Sequence, residues 1–337
     1  MNIIASQWKK LKKLYRNNSP KLMLYYLEST IEYLRRLNLI YFSKNILKDF
    51  PSHVEIETMG SCNARCIMCP NSKVVNRFFQ SPPILTSEVY KKLIDVISSH
   101  KVKTLALFCQ NEPLLDKRII EFINYARAKC QNTKISINTN AILLSHEISD
   151  EILKSGLDHI TFSIHGWTEK TMRQVTTLDF KTVLSNITYF IEKAINIKSH
   201  IEIGLNCLKT IYFTKHDYDF AFQFSRKYGL PFGLPKATNR AGNINTKFYP
   251  NLQVNPKKKI KKCLVDNRPL TGTCILSNGE VVACCMDWQK EEVLGDVYKD
   301  SIYQVWHSDR YNEFRARVYQ GIASSDNFLC KRCSESI

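Results

Sequence analysis

The 337-residue chain has no apolar stretch approaching the roughly 18 uninterrupted residues that a membrane-crossing helix requires. Its opening, MNIIASQWKKLKKLYR, has lysines where a secretory signal needs an apolar run, so a leader peptide is not expected and a soluble, cytoplasmic protein is. Acidic residues are in short supply: 31 Asp and Glu against 48 Lys and Arg leave a formal charge of +17. That imbalance is uneven, with ten Lys or Arg against three acids in residues 1–50 and five lysines in KKKIKK at 257–262. Such patches suit nucleic acid, anionic lipid, acidic substrates or simply a solvated face, and charge alone reports solubility and steering rather than chemistry. Nothing marks the chain as disordered, because 44% of it is apolar and 23% charged, enough for a sizeable core. Cysteine is the residue that is not scarce. Twelve thiols in a reducing compartment indicate metal binding or redox chemistry rather than a disulfide framework.

Residues 5–16 place Trp8, Leu11 and Tyr15 on one helical face among lysines, and 21–40 suggest a second, more apolar helix. From Pro51 the pattern changes. The β-rich runs HVEIET, KTLALF, KISIN, HITFSI, HIEIGLN and LPFGLP alternate with helical stretches near 86–99, 116–129, 146–155, 180–195 and 216–228. Six βα units of this kind predict an α/β fold, a partial (β/α)6 barrel of the TIM type, with functional groups on the loops after the strand C-termini. The repeat stops after Pro235, a polar stretch with turn signals follows, and a cysteine-rich segment begins near 263. The expected organisation is a basic helical extension (1–50), a partial barrel (51–240), a basic linker (241–262) and a small α+β domain (263–337).

The loop after the first strand reads SCNARCIMCP and carries Cys62, Cys66 and Cys69. Thiolates favour zinc or iron–sulfur centres. Structural zinc takes four closed tetrahedral ligands, commonly two CxxC-like pairs, whereas this loop supplies three and leaves one coordination position open.

Cys62-x3-Cys66-x2-Cys69 after the first strand of an apparent βα barrel resembles the radical S-adenosylmethionine superfamily. The resemblance implies a [4Fe-4S] cluster held by these three cysteines. Its fourth iron would bind S-adenosylmethionine, which is reductively cleaved to a 5′-deoxyadenosyl radical that abstracts hydrogen from a substrate. It also implies an electron donor such as flavodoxin or ferredoxin. FCQNEPLLD (108–116) stands where that family has Gly-Gly-Glu-Pro; Glu112 and Pro113 are kept, and Gln110 and Asn111 replace the glycines. By resemblance Glu112 accepts a hydrogen bond from the methionine ammonium, a charge-assisted contact. INTNAILL resembles the family's Thr-Asn-Gly segment with Ala141 in place of glycine, making Asn138 and Asn140 candidates for pocket hydrogen bonds, as well as ordinary turn formers. In FSIHGWTEKTMRQV, Ser163 matches a position that touches the ribose or carboxylate and Arg173 a basic residue that pairs with the carboxylate. Met68, inside the cysteine loop, completes the expected cofactor-binding set. His165 is either a proton donor or, more commonly for a lone histidine at a strand end, a structural residue.

The second cysteine set is Cys263-x15-Gly279-x4-Cys284, then Cys285, and finally Cys330-x2-Cys333. CILSNGEVVACCMDW suits a hairpin with Asn278-Gly279 as a type I′ turn. This set resembles the auxiliary-cluster domain called SPASM, or its one-cluster form called twitch, and implies a second [4Fe-4S] cluster on Cys263, Cys284, Cys330 and Cys333. Adjacent strand residues point to opposite faces, so Cys284 and Cys285 compete for the cluster, and Cys274 is a further competitor. A zinc knuckle on the same four thiols is the alternative. Cys109, Cys130 and Cys207 read as small core or near-site residues. Three functions fit: a small-molecule enzyme oxidising an alcohol or modifying a sugar, a peptide-modifying enzyme, and a non-enzymatic zinc-bearing binding module. Peripheral membrane or acidic-partner attachment through residues 1–50 is a further expectation; a nucleic-acid partner is not.

Overall fold

The computed structural model describes residues 49–71, 81–235, 237–244, 246–249, 252, 260, 262–319 and 324–337. The basic extension with its Trp8, Leu11 and Tyr15 face lies outside the described residues, as does most of KKKIKK. Among the described residues no helix is long and apolar enough to cross a membrane.

All six β-rich runs form strands: β1 (His53–Ile56), β2 (Thr104–Ala106), β3 (Lys134–Thr139), β4 (His159–Ser163), β5 (Glu202–Asn206) and β6 (Phe232–Gly233). They pair in chain order, all parallel. The crossovers carry α1 (Ser87–Ser98), α2 (Ile119–Lys129), α3 (His146–Lys154), α4 (Glu169–Thr176), α5 (Phe180–Asn196) and α6 (Lys215–Tyr228). Thr86, Ser145, Thr168, Asp179 and Thr214 cap α1, α3, α4, α5 and α6 by accepting from backbone N–H groups. Each such cap is worth about 1 kcal/mol. Helix α4 is absent from the sequence expectation, because EKTMRQVT offers only Met172 and Val175 as large apolar residues and so shows no stripe.

Side-chain alternation divides the sheet into two faces. Val54, Ile56, Leu105, Ile135, Ile137, Ile160 and Phe162 are buried in the main core beneath the helices. Phe162 meets Phe190 of α5 edge-on at 5.5 Å; truncating such a phenylalanine costs about 3–5 kcal/mol. The intervening residues therefore line the concave side. They form rows in register: Glu55 beside Ala106, Ala106 beside Ser136, Asn138 beside Thr161, and Ser163 beside Asn206.

The cysteine-rich segment continues the same sheet. After α7 (Arg268–Thr271), β7 (Gly272–Ile275) pairs in parallel with β1, and β8 (Glu280–Val282) and β9 (Val293–Asp296) follow antiparallel. The result is nine strands in the order β6-β5-β4-β3-β2-β1-β7-β8-β9. β1 would otherwise end the barrel with unpaired backbone groups, and β7 satisfies them. Helices α8 (Ile302–His307), α9 (Asp309–Tyr319) and α10 (Leu329–Arg332) complete the segment. Its hairpin differs from the expected type I′ turn. Asn278 is not among the positive-φ residues, Gly279 alone in the turn takes a left-handed φ of 85°, and the Gly279 N–H bonds to the Leu276 carbonyl at 2.8 Å. This is a longer loop closed by a single αL glycine. A Cβ there would lie 2.2 Å from Tyr298, so a side chain is excluded by space as well as by φ.

Candidate active site and cluster sites

The Cys62–Cys69 loop leaves β1 and docks on the end of α4. The Arg65 N–H donates to the Thr176 carbonyl at 3.0 Å and the Ile67 N–H to the Val175 carbonyl at 2.9 Å. These are last-turn carbonyls without helical partners, so the loop satisfies the helix end while the helix sets the loop's shape. Met68 is buried against Val175 and Tyr249. Helix α4 is itself fixed by Asp217, fully buried at the start of α6, which accepts from the Trp167 N–H at 2.8 Å and from the Thr171 and Thr214 hydroxyls at 2.9 and 2.6 Å. Gly166 lets the chain pass beneath α4: a Cβ there would sit 2.4 Å from the Met172 nitrogen.

Glu112 follows β2 and is buried next to this loop. Its N–H donates to the Ser61 carbonyl at 2.9 Å. Its carboxylate accepts from the Thr139 hydroxyl at 2.6 Å, the Asn140 N–H at 2.8 Å and the Leu114 N–H at 3.1 Å. Burial outweighs these bonds and pushes its pKa up to about 7. The residues standing in for the glycines now have roles. Gln110 donates through Nε2 to the Cys285 and Asp287 carbonyls at 3.3 and 3.2 Å, and the Asn111 side chain accepts from the Cys109 N–H at 3.1 Å. Gln110 thus ties the Glu112 loop to the C-terminal segment.

Of the other candidate residues, Asn140 reaches the cysteine loop, donating to the Asn63 Oδ1 at 2.8 Å. Asn138 and Ser163 lie on the concave rows of β3 and β4. Arg173 is not brought to the site. It is exposed, two positions before Val175 and hence on the opposite side of α4, and its charge acts on Asp179. His165 accepts at Nδ1 from the Leu208 N–H at 3.2 Å, and burial together with Arg240 lowers its pKa to about 4, so it is neutral at pH 7 and ties β4 to the end of β5.

Sequence reasoning missed Glu57, Arg240 and Tyr249. Glu57 was signalled by the charged alternation in HVEIET; it accepts from the Gln110 N–H at 3.0 Å and from the Ser277 hydroxyl at 2.7 Å. Arg240 and Tyr249 carried no signal, because they lie in the stretch that looks like linker. Described residues of that stretch are embedded in the structure: Arg240, Ala241 and Gly242 take φ of 47°, 53° and 88° in succession. This turn places the Arg240 charge where it acts on both Cys69 and Cys285.

The second thiol group assembles from three segments. The Leu264 N–H bonds to the Glu335 carbonyl at 2.8 Å, and Asn239 accepts from the Ser334 N–H at 2.8 Å while donating to the Arg332 carbonyl at 2.5 Å. Cys263, Cys330 and Cys333 are thereby close enough to perturb one another. The adjacent pair divides between two environments. Cys284 packs with Cys333 around Ala241, Met286 and Leu329, whereas Cys285 packs with Cys109 around Cys274, Leu276 and Val282. Both lie beyond the end of β8, where strand alternation no longer applies, and their side chains still touch each other.

Burial pushes the Cys62 thiol up to about 12 and raises Cys66 and Cys69 as well. The protein alone disfavours thiolates here, and a bound metal is what would restore them. A single tetrahedral zinc needs ligand sulfurs about 3.8 Å apart, from Zn–S bonds of about 2.3 Å. Among the described residues the trio of donor atoms lying within 4.8 Å of one another is Glu55, Cys109 and Cys274. Neither Cys62, Cys66 and Cys69 nor Cys263, Cys284, Cys330 and Cys333 forms such a trio among the described residues.

Comparison with known proteins agrees. Residues 56–206 match the radical SAM superfamily, and residues 263–334 match SPASM, an iron–sulfur cluster-binding domain. The S-adenosyl-L-methionine-dependent 2-deoxy-scyllo-inosamine dehydrogenase of Niallia circulans is 22% identical over 284 residues, 84% of this chain and 92% of that protein. The GTP 3′,8-cyclase of Desulforamulus reducens is 25% identical over 171 residues, half of each chain. Among solved structures, Streptococcus suis SuiB bound to its precursor peptide SuiA shares the fold at a TM-score of 0.62 and 15% identity, covering 92% of this chain and 74% of SuiB.

Proposed function

Since the chain belongs to the radical SAM superfamily and carries a C-terminal SPASM domain, we propose that it oxidises a small hydroxylated molecule such as an amino-cyclitol, sugar or alcohol. Its cofactors are S-adenosylmethionine and two iron–sulfur clusters, which when bound supply the hydrogen-abstracting chemistry. In this proposal Cys62, Cys66 and Cys69 hold one cluster and Cys263, Cys284, Cys330 and Cys333 the other. Glu112 receives the methionine ammonium on the carboxylate lone pairs left by its three protein donors, Asn140 braces the cysteine loop through Asn63, and Met68 supplies an apolar contact. Arg240, whose charge reaches Cys69 and Cys285, holds substrate oxygen between them, and its charge also opposes proton uptake by His165.

One observation carries the small-molecule reading: the likeness to the inosamine dehydrogenase extends over 84% of this chain and 92% of that protein. Asn138, Thr161, Ser163 and Asn206 support it by giving the concave face short hydrogen-bonding side chains suited to hydroxyls. The net charge of +17 suits an acidic electron donor such as flavodoxin or ferredoxin. The test offers reconstituted, reduced protein a panel of deuterated amino-cyclitols and sugars alongside short peptides. Deuterium transfer into 5′-deoxyadenosine from a carbinol position, with a product about three mass units lighter than the deuterated substrate, is the expected result. Transfer from peptides alone would replace this reading by peptide modification.

A further inference from the structure

A third group of donors lies where β1, β2 and the hairpin meet, bordering the second cysteine group through the contact of Cys285 with Cys284. Glu55 projects from β1 toward Cys274, its registered neighbour on β7, and the Cys274 sulfur is 2.8 Å from the Glu55 Oε2. Cys109, immediately after β2, places its sulfur 3.9 Å from the same oxygen. Cys285, after β8, interacts with both Glu55 and Cys274. The donor atoms of Glu55, Cys109 and Cys274 lie within 4.8 Å of one another, and Cys285 packs against the same cluster from a fourth segment. Arg268 closes the far side, with Nη2 2.5 Å from the Glu55 Oε1 and Nη1 3.6 Å from the Cys274 sulfur.

We propose that Glu55, Cys109, Cys274 and Cys285 form a zinc site that locks the barrel to the C-terminal domain. Tetrahedral zinc with Zn–S of about 2.3 Å and Zn–O of about 2.1 Å separates sulfur from oxygen by about 3.6 Å, and the two separations of 2.8 and 3.9 Å bracket that value. Three thiolates and a carboxylate around a divalent ion leave a charge of −2, which the Arg268 guanidinium partly offsets while orienting two of the ligands. The Arg268–Glu55 pair by itself accounts for the carboxylate but not for three thiols gathered on it. A small cleft lined by His53, Glu55, Thr104, Ala106 and Arg268 gives an ion a path to the carboxylate. The site's consequence lies in its position: Cys109 adjoins Gln110 and Glu112, and Cys285 adjoins Cys284, so one ion couples the cofactor loop to the auxiliary cluster.

The inference rests on the family reading only for the cluster assignment, and the test separates the two. Full-length protein expressed with iron and zinc, purified anaerobically and passed over a chelating resin, should hold about one zinc besides about eight irons. Zinc K-edge absorption should show a sulfur-rich shell near 2.3 Å. The C109S/C274S variant should fall below about a fifth of an equivalent of zinc with iron unchanged. Wild-type protein holding less zinc than that, a shell of nitrogen and oxygen only, or a folded double variant that keeps its zinc would each overturn the site. The two wild-type measurements decide if the variant does not fold. Loss of iron and of 5′-deoxyadenosine formation with zinc retained would overturn the radical SAM assignment and leave the zinc site standing.

Discussion

Replacing Glu112 by Gln isolates the contribution of one buried carboxylate. Its oxygens accept from the Leu114 N–H and Thr139 hydroxyl on one side and the Asn140 N–H on the other. A glutamine amide must turn its NH2 toward one of these sides, so either orientation leaves a backbone N–H facing a donor, at a cost of about 1–3 kcal/mol. The charge-assisted bond to the methionine ammonium is lost as well, about 1.5–3 kcal/mol, or about 10- to 100-fold in cofactor affinity. The pH dependence gives a second readout. Because the folded pKa is raised from 4.5 to about 7, the folded state holds the extra proton across that interval. Its contribution to stability is therefore present below pH 4.5 and declines as pH rises to about 7. The ammonium prefers the ionised form, so cofactor affinity should move the other way, rising by up to about tenfold per pH unit toward pH 7 and levelling above it. Equilibrium binding of S-adenosylmethionine to reconstituted protein between pH 5.5 and 8.5, with thermal unfolding in parallel, measures both. A variant that binds within about threefold of wild type and keeps the wild-type pH slope would refute the role given to Glu112.

Other substitutions test neighbouring claims. Changing Cys62, Cys66 and Cys69 together to Ala should lower iron from about eight to about four per chain by elemental analysis, and unchanged iron would remove this loop from cluster binding. C284S should likewise lose about four irons whereas C285S should lose none, since the two side chains enter different environments. Ala141 is fully buried at φ 63° where the family pattern has glycine; A141G should gain up to about 1 kcal/mol, seen as a rise in the thermal midpoint, and a fall would show that the strain is absent. G166A should cost at least about 2 kcal/mol in thermal unfolding, because the new Cβ meets the α4 backbone, and a neutral effect would mean that α4 can shift freely.

Local pattern carried much of this protein. Apolar alternation in six short runs defined the parallel strands, because each faces helices on one side and a polar cleft on the other. Three thiols spaced Cys-x3-Cys-x2-Cys marked a thiolate metal loop by themselves, because ligand number and reach are properties of a single loop, and the resemblance that implied a cluster also used the loop's place after the first strand. Glu55 and Glu57 were also legible in principle, since charge at every second position of HVEIET marks a polar inward face. Helix α4 was not, because two apolar residues in eight leave no stripe.

Only the tertiary structure shows what surrounds each cysteine of the adjacent pair. Cys284 and Cys285 differ by one position, and nothing local says which face of the hairpin meets which thiols until β7 pairs with β1. That same pairing, a contact across more than two hundred residues, brings Glu55 against Cys274. It also turns Gln110 from a departure in a glycine motif into a tie between the two halves of the molecule. Arg173 shows the converse, a motif match at the right position in the chain but on the wrong side of its helix. Spacing along the chain determines what a loop can bind, whereas the direction a side chain takes across a sheet or around a helix is set by packing, which separates Arg173 from the site and brings Arg240 to it.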